Sequence, residues 1–519
     1  VTDTDQTVVL PRQRTSVEEA EPQPDPWQEP EPARGSAPVN GPGGTEAALA
    51  RLAWLLTTVC VAAVGLVRAS WSSLSADELD TWAYANMSWS ELWQLRSEID
   101  ALTVPYYVLI RGWSEVFGTS EFSLRSPSVL AMVAAAGATA ALVSRLVDAR
   151  AGILAGLLFA TVPAASRYAH EAGPQAIALA AAVLATAALV RFFERPRFWR
   201  WAGYAGAVGL LGLAHGAALL LLVGHLGAVL ALRRRVLPAW VLAAAVGAAP
   251  VVGLLFVARP PWDLLAWQDP VGMPTAPAAV EALFGLALLG GVIVGLSMIG
   301  LSLKKPAGVF TAAAILPLLG LYPAAELTGL GVPELMLFTL PFWLCLTAMA
   351  LNRAPLVRGL AVVCLVALVG LPTQLDIRTD AGHGLAAHQV AEVLNEQADA
   401  GDAIVYGPTD RDGRIGRDLV ARYVAGAARP EDVLAQRPPR TGGRLLADEC
   451  VDVAACVGDA PRVWLLRADQ RATPLDGLPA AKDGLLRVRY EQERTWTFDG
   501  ASLTLFTLAP AELDRPAPR

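Results

Sequence analysis

Apolar residues along this chain neither alternate with polar ones nor recur as the one-sided stripe of a surface helix. They come in blocks of roughly 18–22 residues almost free of charge, the length a helix needs to cross a hydrocarbon layer. The first block runs from about Leu49 to Val67, the second from Ser126 to Leu142, the third from Ala151 to Ala165 and the fourth from Pro174 to Val190. Two more fill Trp201 to Leu232. Further blocks cover Leu237 to Val257, Ala282 to Leu303, Ala307 to Ala324, Leu335 to Leu351 and Leu360 to Leu371. The pattern predicts a polytopic α-helical membrane protein with about eleven spans.

Charge orients these blocks. Every second connection is basic: Arg145 with Arg150, Arg191 to Arg200, Arg233 to Arg235, Lys304 with Lys305, and Arg353 with Arg358. Basic connections stay in the cytoplasm, which puts the N-terminus inside and the C-terminal region outside. Residues 1–48 are rich in Pro, Glu, Gln and Gly, too poor in apolar surface to offset the entropy of ordering, and read as a disordered cytoplasmic tail. No cleavage pattern follows the first block, so this tail does not read as a signal peptide. Residues 49–373 form the membrane domain, with a long first external loop over 70–125. Residues 374–519 change character. Strand-like Ala403–Tyr406, Val463–Leu466 and Ser502–Thr507 accompany a helical pattern over Gly413–Ala427, with Ile415, Leu419 and Tyr423 on one face. They predict a small extracytoplasmic α/β domain.

Composition narrows the picture. The chain is 54% hydrophobic, and its net charge of −7 is spread over different compartments. No basic stretch is interleaved with aromatics, so a nucleic-acid partner is excluded. Three lysines stand against many arginines, with abundant Ala, Gly and Leu, a bias of GC-rich bacterial genomes that places the chain in a bacterial plasma membrane. Of the five cysteines, Cys60, Cys345 and Cys364 lie in apolar blocks as packing residues. Cys450 and Cys456 lie in the polar C-terminal region, where an oxidising compartment would permit a disulfide. Two cysteines are too few for a structural zinc site.

Two stretches could carry chemistry. The loop after the first block holds Asp77 and Glu78, then Asp100, among many Trp and Tyr residues suited to helices lying in the membrane interface. Adjacent acids there could act as a base or take a divalent ion; they could equally be solvated or cap a helix. The connection between the third and fourth blocks reads Arg167-Tyr168-Ala169-His170-Glu171-Ala172-Gly173-Pro174-Gln175. Arg167 and His170 could hold a lipid-linked phosphate through charge-assisted hydrogen bonds, or anchor the helix ends. His215 and His225 lie within an apolar block and read as polar residues of the bundle interior.

The order of these residues resembles that of the GT-C type integral-membrane glycosyltransferases, in particular the family 39-like, mannosyltransferase-like proteins of actinobacteria. The resemblance covers residues 50–375. It rests on Asp77-Glu78 after the first span, Asp100 ahead of Pro105-Tyr106-Tyr107, and Phe117-Gly118 with Ser123-Leu124-Arg125. Arg150-Ala151-Gly152 and Arg167-Tyr168-Ala169, with Glu171-Ala172 and Pro174, continue it. It implies transfer of a sugar, mannose among the candidates, from a polyprenyl-phosphate donor to a lipid, glycan or protein acceptor at the outer membrane face. Asp77 would be the general base or the acid that positions the acceptor, with Glu78 beside it and Asp100 the second acid. Arg167, with Tyr168, His170 and Glu171, would hold the donor phosphate.

Departures open a second reading. Relatives commonly carry His-Gly or Pro-Pro before the Tyr-Tyr pair, where this chain has Thr103-Val104-Pro105. Gly173 and Gln175 stand where relatives have Arg and Tyr, and Glu334-Leu335 replaces an Arg-Tyr pair. A member that lost catalysis would bind lipid-linked sugar or scaffold envelope assembly. A transporter fits less well: the spans show no internal repeat, and the charges cluster in loops instead of at the midplane. Ligand spacing reveals no metal site, although Asp77, Glu78 and Asp100 are the acids at which a divalent ion would bind.

Overall fold

The computed structural model describes residues 44–95, 102–195, 197–258, 276–328, 333–408, 411–469, 471 and 473–509. Asp100 and residues 1–43 of the N-terminal tail lie outside the described residues.

The first part is helical. Helix α1 (Gly44–Leu66) leads into α2 (Ala76–Asn86), α3 (Trp89–Gln94) and α4 (Val104–Phe117), which make up the long loop. Then come α5 (Glu121–Leu146), α6 (Ala149–Thr161), α7 (Pro163–Ala169), α8 (Gln175–Glu194), α9 (Phe198–Ala214), α10 (Leu221–Leu232) and α11 (Leu237–Ala258). Helices α12 (Ala276–Phe284), α13 (Ala287–Gly300), α14 (Ala307–Thr328), α15 (Leu340–Leu351) and α16 (Leu356–Asp376) complete the bundle. Among the described residues four helices are long and apolar enough to cross a membrane, or six if each of two bent pairs counts as one span. Shorter apolar helices, Arg51–Leu66, Gly216–Leu232, Ala307–Leu321 and Met336–Leu351, pack among them.

The bends correct two sequence expectations. The third block is not one helix followed by a loop at Arg167. It turns by 62° between α6 and α7, so that Arg167 and Tyr168 sit on a helix. The cause is Pro163, which lacks an N–H and holds Val162 in an extended conformation. The block expected over Ala282–Leu303 is likewise bent, by 89° between α12 and α13.

The bundle has two chemically different ends. At one, Arg145 pairs with Glu194 at 2.7 Å, Asn352 donates to Asp148 at 2.7 Å, and Arg150 donates to the Ala354 carbonyl at 3.1 Å. At the other, His170 Nε2 donates to the Gly65 carbonyl at 2.9 Å, and Arg378 reaches the Val64 carbonyl (2.8 Å) and Ser166 Oγ (2.9 Å). The second end carries the long loop.

The chain after α16 forms a sheet layer with helices. Its elements are α17 (Ala387–Gln397), β1 (Ala403–Tyr406), α18 (Arg411–Tyr423), β2 (Glu431–Asp432), β3 (Ala435–Arg437), β4 (Asp448–Glu449) and α19 (Val453–Val457). They continue with β5 (Arg462–Arg467), α20 (Ala480–Arg489), β6 (Tyr490–Phe498) and β7 (Ala501–Leu508). The sheet order is β2-β1-β5-β7-β6, with β1 parallel to β2 and β5, and β7 antiparallel to β5 and β6. Every residue of β1 is buried, as a parallel strand covered on both faces requires. Trp464 of β5 is buried among them and donates to Asp402 at 2.7 Å. Cys450 and Cys456 are joined by a disulfide.

The loop and the sheet share a core. Leu74, Leu79, Tyr106, Ile110 and Leu124 pack in one cluster with Leu385, Val390, Ile404, Ile415 and Leu419. Within that loop Glu78 is held at the bundle end by Arg125, and Asp80 against the sheet region by Arg414 and Arg440.

Candidate functional site

Ser75 and Glu78 start α2 with a capping box: Ser75 Oγ accepts from the Glu78 N–H, and Glu78 Oε2 accepts from the Ser75 N–H at 3.0 Å. The same carboxylate takes both Arg125 Nε (2.7 Å) and Arg125 Nη2 (2.8 Å), and its Oε1 accepts from the Ala172 N–H at 2.8 Å. Arg125 spends its remaining donors on the Ala69, Ser72 and Ser73 carbonyls and on Ser72 Oγ. Both side chains are fully buried. Burial pushes the Glu78 carboxyl up, but the Arg125 guanidinium outweighs it and holds the group well below the usual carboxylate range. One buried pair thus joins the end of α1, the start of α5, α2 and the turn before α8.

Asp77 precedes this pair. Its side chain is 72% exposed and touches Arg411, the first residue of α18. Asp80, one turn along α2, is buried between Arg414, at 2.8 Å, and Arg440. Arg440 also holds Asp418 through two bonds of 2.8 Å, and Arg422 pairs with Glu121 at 2.7 Å. The sheet part therefore presents four arginines to the acids of the loop and of α5's first turn.

Arg167 lies half-buried on α7 and makes no side-chain hydrogen bond or ion pair among the described residues. Tyr168 beside it is buried. Glu171, half-buried, has its carboxyl pushed up to about 8, by burial first and then by the charges of Glu78 and Asp77, against the pull of Arg167 and Arg125. Burial and the neighbouring acids thus favour its protonated form. Burial also holds the His170 imidazole uncharged, down to about 4. Gln175 Oε1 is buried without a partner among the described residues and lies over Gly173, in space that a side chain at position 173 would fill. The two departures from the family pattern at 173 and 175 are thus accommodated together.

Among the described residues, no three His, Cys, Asp or Glu side chains group closely enough to hold a metal ion. Of the residues singled out in the sequence, Asp77, Glu78, Arg167, Tyr168, His170 and Glu171 meet at one bundle end. The sequence reading missed Arg125 as a site residue, although a lone arginine in Ser123-Leu124-Arg125 at the head of an apolar helix needs a buried partner. It also missed Asp80 and the arginines opposite, whose pairing spans more than 300 residues. His225 is a paired bundle residue, accepting from Tyr204 at 2.9 Å and reaching Thr186 at 3.0 Å.

Comparison with known proteins bears on the fold that carries these residues. The profile of the family described as dolichyl-phosphate-mannose-protein mannosyltransferase matches residues 103–256. No curated protein matches the sequence. The crystal structure of ArnT from Cupriavidus metallidurans bound to undecaprenyl phosphate superimposes with a TM-score of 0.53 at 15% identity, covering 87% of this chain and 98% of that one. ArnT from the same organism in the apo state gives 0.54 at 14% identity, covering 88% and 98%. The chain shares the fold of ArnT, which is of the GT-C type. Within the GT-C bundle, the family match includes Arg125, Arg167, His170 and Glu171, while Asp77 and Glu78 lie ahead of it.

Proposed function

We propose that this protein is a membrane glycosyltransferase. It takes a sugar, with mannose the first candidate, from a polyprenyl-phosphate carrier and passes it to a hydroxyl of a lipid, glycan or protein in the bacterial envelope. The observation that carries this reading is Arg167, a half-buried cation without a partner among the described residues, at the bundle end that holds the acidic loop. A phosphate there would give that guanidinium a charged partner. The fold supports it, since ArnT, which shares that fold, is known bound to undecaprenyl phosphate.

In the proposed reaction the acceptor oxygen attacks the anomeric carbon and its proton passes to the Asp77 carboxylate. The bond from the anomeric carbon to the phosphate oxygen breaks, and its electron pair stays with the phosphate. Polyprenyl phosphate leaves with one more negative charge, which Arg167 stabilises. Asp100 is proposed as the second acid. Glu78, its oxygens occupied by Arg125, Ser75 and Ala172, holds Asp77 in position; Tyr168 and His170 fix the helix end that carries Arg167. We place the N-terminal residues 1–48 in the cytoplasm, about eleven spans within 49–373, and residues 374–519 outside the plasma membrane.

The contact between Arg411 and Asp77 favours a second reading, a non-catalytic member that binds lipid-linked sugar, because it engages the proposed base. Purified protein in lipid, given radiolabelled polyprenyl-phosphate mannose and membrane-lipid extracts, separates the two. The transferase reading predicts labelled product that falls by about 100-fold or more in Asp77→Asn, the usual cost of removing a general base. Donor binding with no product from the wild type would support the non-catalytic reading, and wild-type rates in Asp77→Asn would remove Asp77 from the mechanism.

A further inference from the structure

His383 lies in the segment that links α16 to α17, and its side chain is buried, with 5% relative exposure. Neither ring nitrogen has a hydrogen-bond partner among the described residues. Leaving both a donor and an acceptor unmade in a buried place is costly, so such a ring is a structural liability unless something else completes it. Among the described residues the charged and titratable groups acting most strongly on it are Glu78, Arg125, Arg167 and His170, all of the candidate site. Glu78 and Arg125 are committed to each other, and His170 to Gly65. Arg167 is not committed.

The backbone holds His383 where it is by close approaches on both sides. A Cβ at Gly382 would collide with the carbonyls of Asp376 and Ile377, and a Cβ at Gly500 would collide with the Gly384 carbonyl. Ser73 stitches the same segment to the loop: its Oγ donates to the Leu385 carbonyl at 2.6 Å and accepts from the Ala387 N–H at 3.0 Å. The Ala386 N–H donates to the Asp499 carbonyl at 3.0 Å. A histidine this firmly placed, with both nitrogens unused, is arranged to meet a ligand.

We propose that His383 is a further substrate-contacting residue of the transfer site, hydrogen-bonded to the sugar of the carrier lipid whose phosphate Arg167 holds. This rests on the transferase reading. Burial keeps the ring uncharged, with one N–H and one lone pair. A phosphodiester offers oxygens that accept and no proton to donate, so it could complete the N–H alone. A sugar phosphate adds hydroxyls that donate, and completes the lone pair as well.

The test compares two probes, polyprenyl-phosphate mannose and bare polyprenyl phosphate, bound to the full-length protein in lipid nanodiscs. In His383→Ala the sugar-bearing carrier should bind about tenfold more weakly, the scale of one lost hydrogen bond, while the bare carrier shifts by less than about twofold. Arg167→Ala should weaken both. His383→Gln, which retains a donor and an acceptor, should recover part of the loss, and Gly382→Ala, which displaces the segment, should reproduce it. His383→Leu should melt no lower than the wild type, because it removes unpaired polar atoms. Equal effects of His383→Ala on both probes, no effect on either, or a lower melting temperature in His383→Leu would overturn the proposal; a water filling the site would give no difference between the probes. If the wild type bound neither carrier, the transferase reading itself would fail; binding without the His383 difference would defeat this inference alone.

Discussion

At the scale of single residues, the buried pair of Glu78 and Arg125 organises the candidate site. Each partner is fully buried, so removing one leaves the other's charge uncompensated. Arg125→Ala should therefore destabilise the protein by about 3–5 kcal/mol, visible as a lower melting temperature in detergent; unchanged melting would show the pair to be dispensable. Glu171 behaves in the opposite sense. Its folded-state pKa, raised to about 8, means the folded protein holds a proton that the unfolded chain gives up near 4.5. The stability this contributes is complete below about 4.5 and is lost as pH rises through about 8. Glu171→Gln should flatten that decline relative to wild type between pH 5 and 8. Parallel curves would mean that Glu171 is already ionised at neutral pH. The sequence made Glu78 visible as an acid and hid its task, because capping and charge pairing both depend on neighbours brought in from α5 and the turn before α8. His383 was hidden altogether: a histidine between two glycines carries no periodicity, and its meaning comes from the bundle end it faces.

At the scale of elements, the decisive contact is between α2 and α18. Asp80 accepts from Arg414 and Arg440, which come from separate parts of the sheet region. Asp80→Asn should leave two buried guanidiniums short of charge, with hydrogen exchange in α18 accelerating well beyond that in α8; equal protection would show that the shared apolar core alone holds the sheet in place. The neighbouring contact of Arg411 with Asp77 is different, because both side chains are largely exposed. Such pairs are worth about 1 kcal/mol at most, so Arg411→Ala should change transfer by no more than about fivefold. A much larger gain would identify Arg411 as a brake on Asp77. Local pattern was a good guide here: the strands β1, β5 and β7 fall on the apolar runs that predicted them. It was a poor guide at the bends, where hydrophobicity continues across Pro163 and through the break between α12 and α13, and backbone geometry ends the helix instead.

At the scale of the whole molecule, length and hydrophobicity made the membrane bundle legible, and the order of short motifs pointed to the GT-C fold at an identity to solved structures as low as 14–15%. The docking of the sheet against the acidic loop was not legible, since it depends on charges more than 300 residues apart. The proposed orientation puts this docked face outside. A cysteine introduced at the 76% exposed Val488 should react with a membrane-impermeant maleimide on intact cells, and one at Arg234 should react only after permeabilisation. The reverse pattern would invert the topology. The central claim is that the protein breaks the sugar–phosphate bond of a lipid carrier. It is tested most directly by following both products when purified protein in lipid receives polyprenyl-phosphate mannose and an envelope-lipid extract. The account predicts free polyprenyl phosphate appearing one for one with mannosylated acceptor, and neither appearing with Asp77→Asn. Recovery of the donor intact, while it remains bound to the wild-type protein, would contradict it.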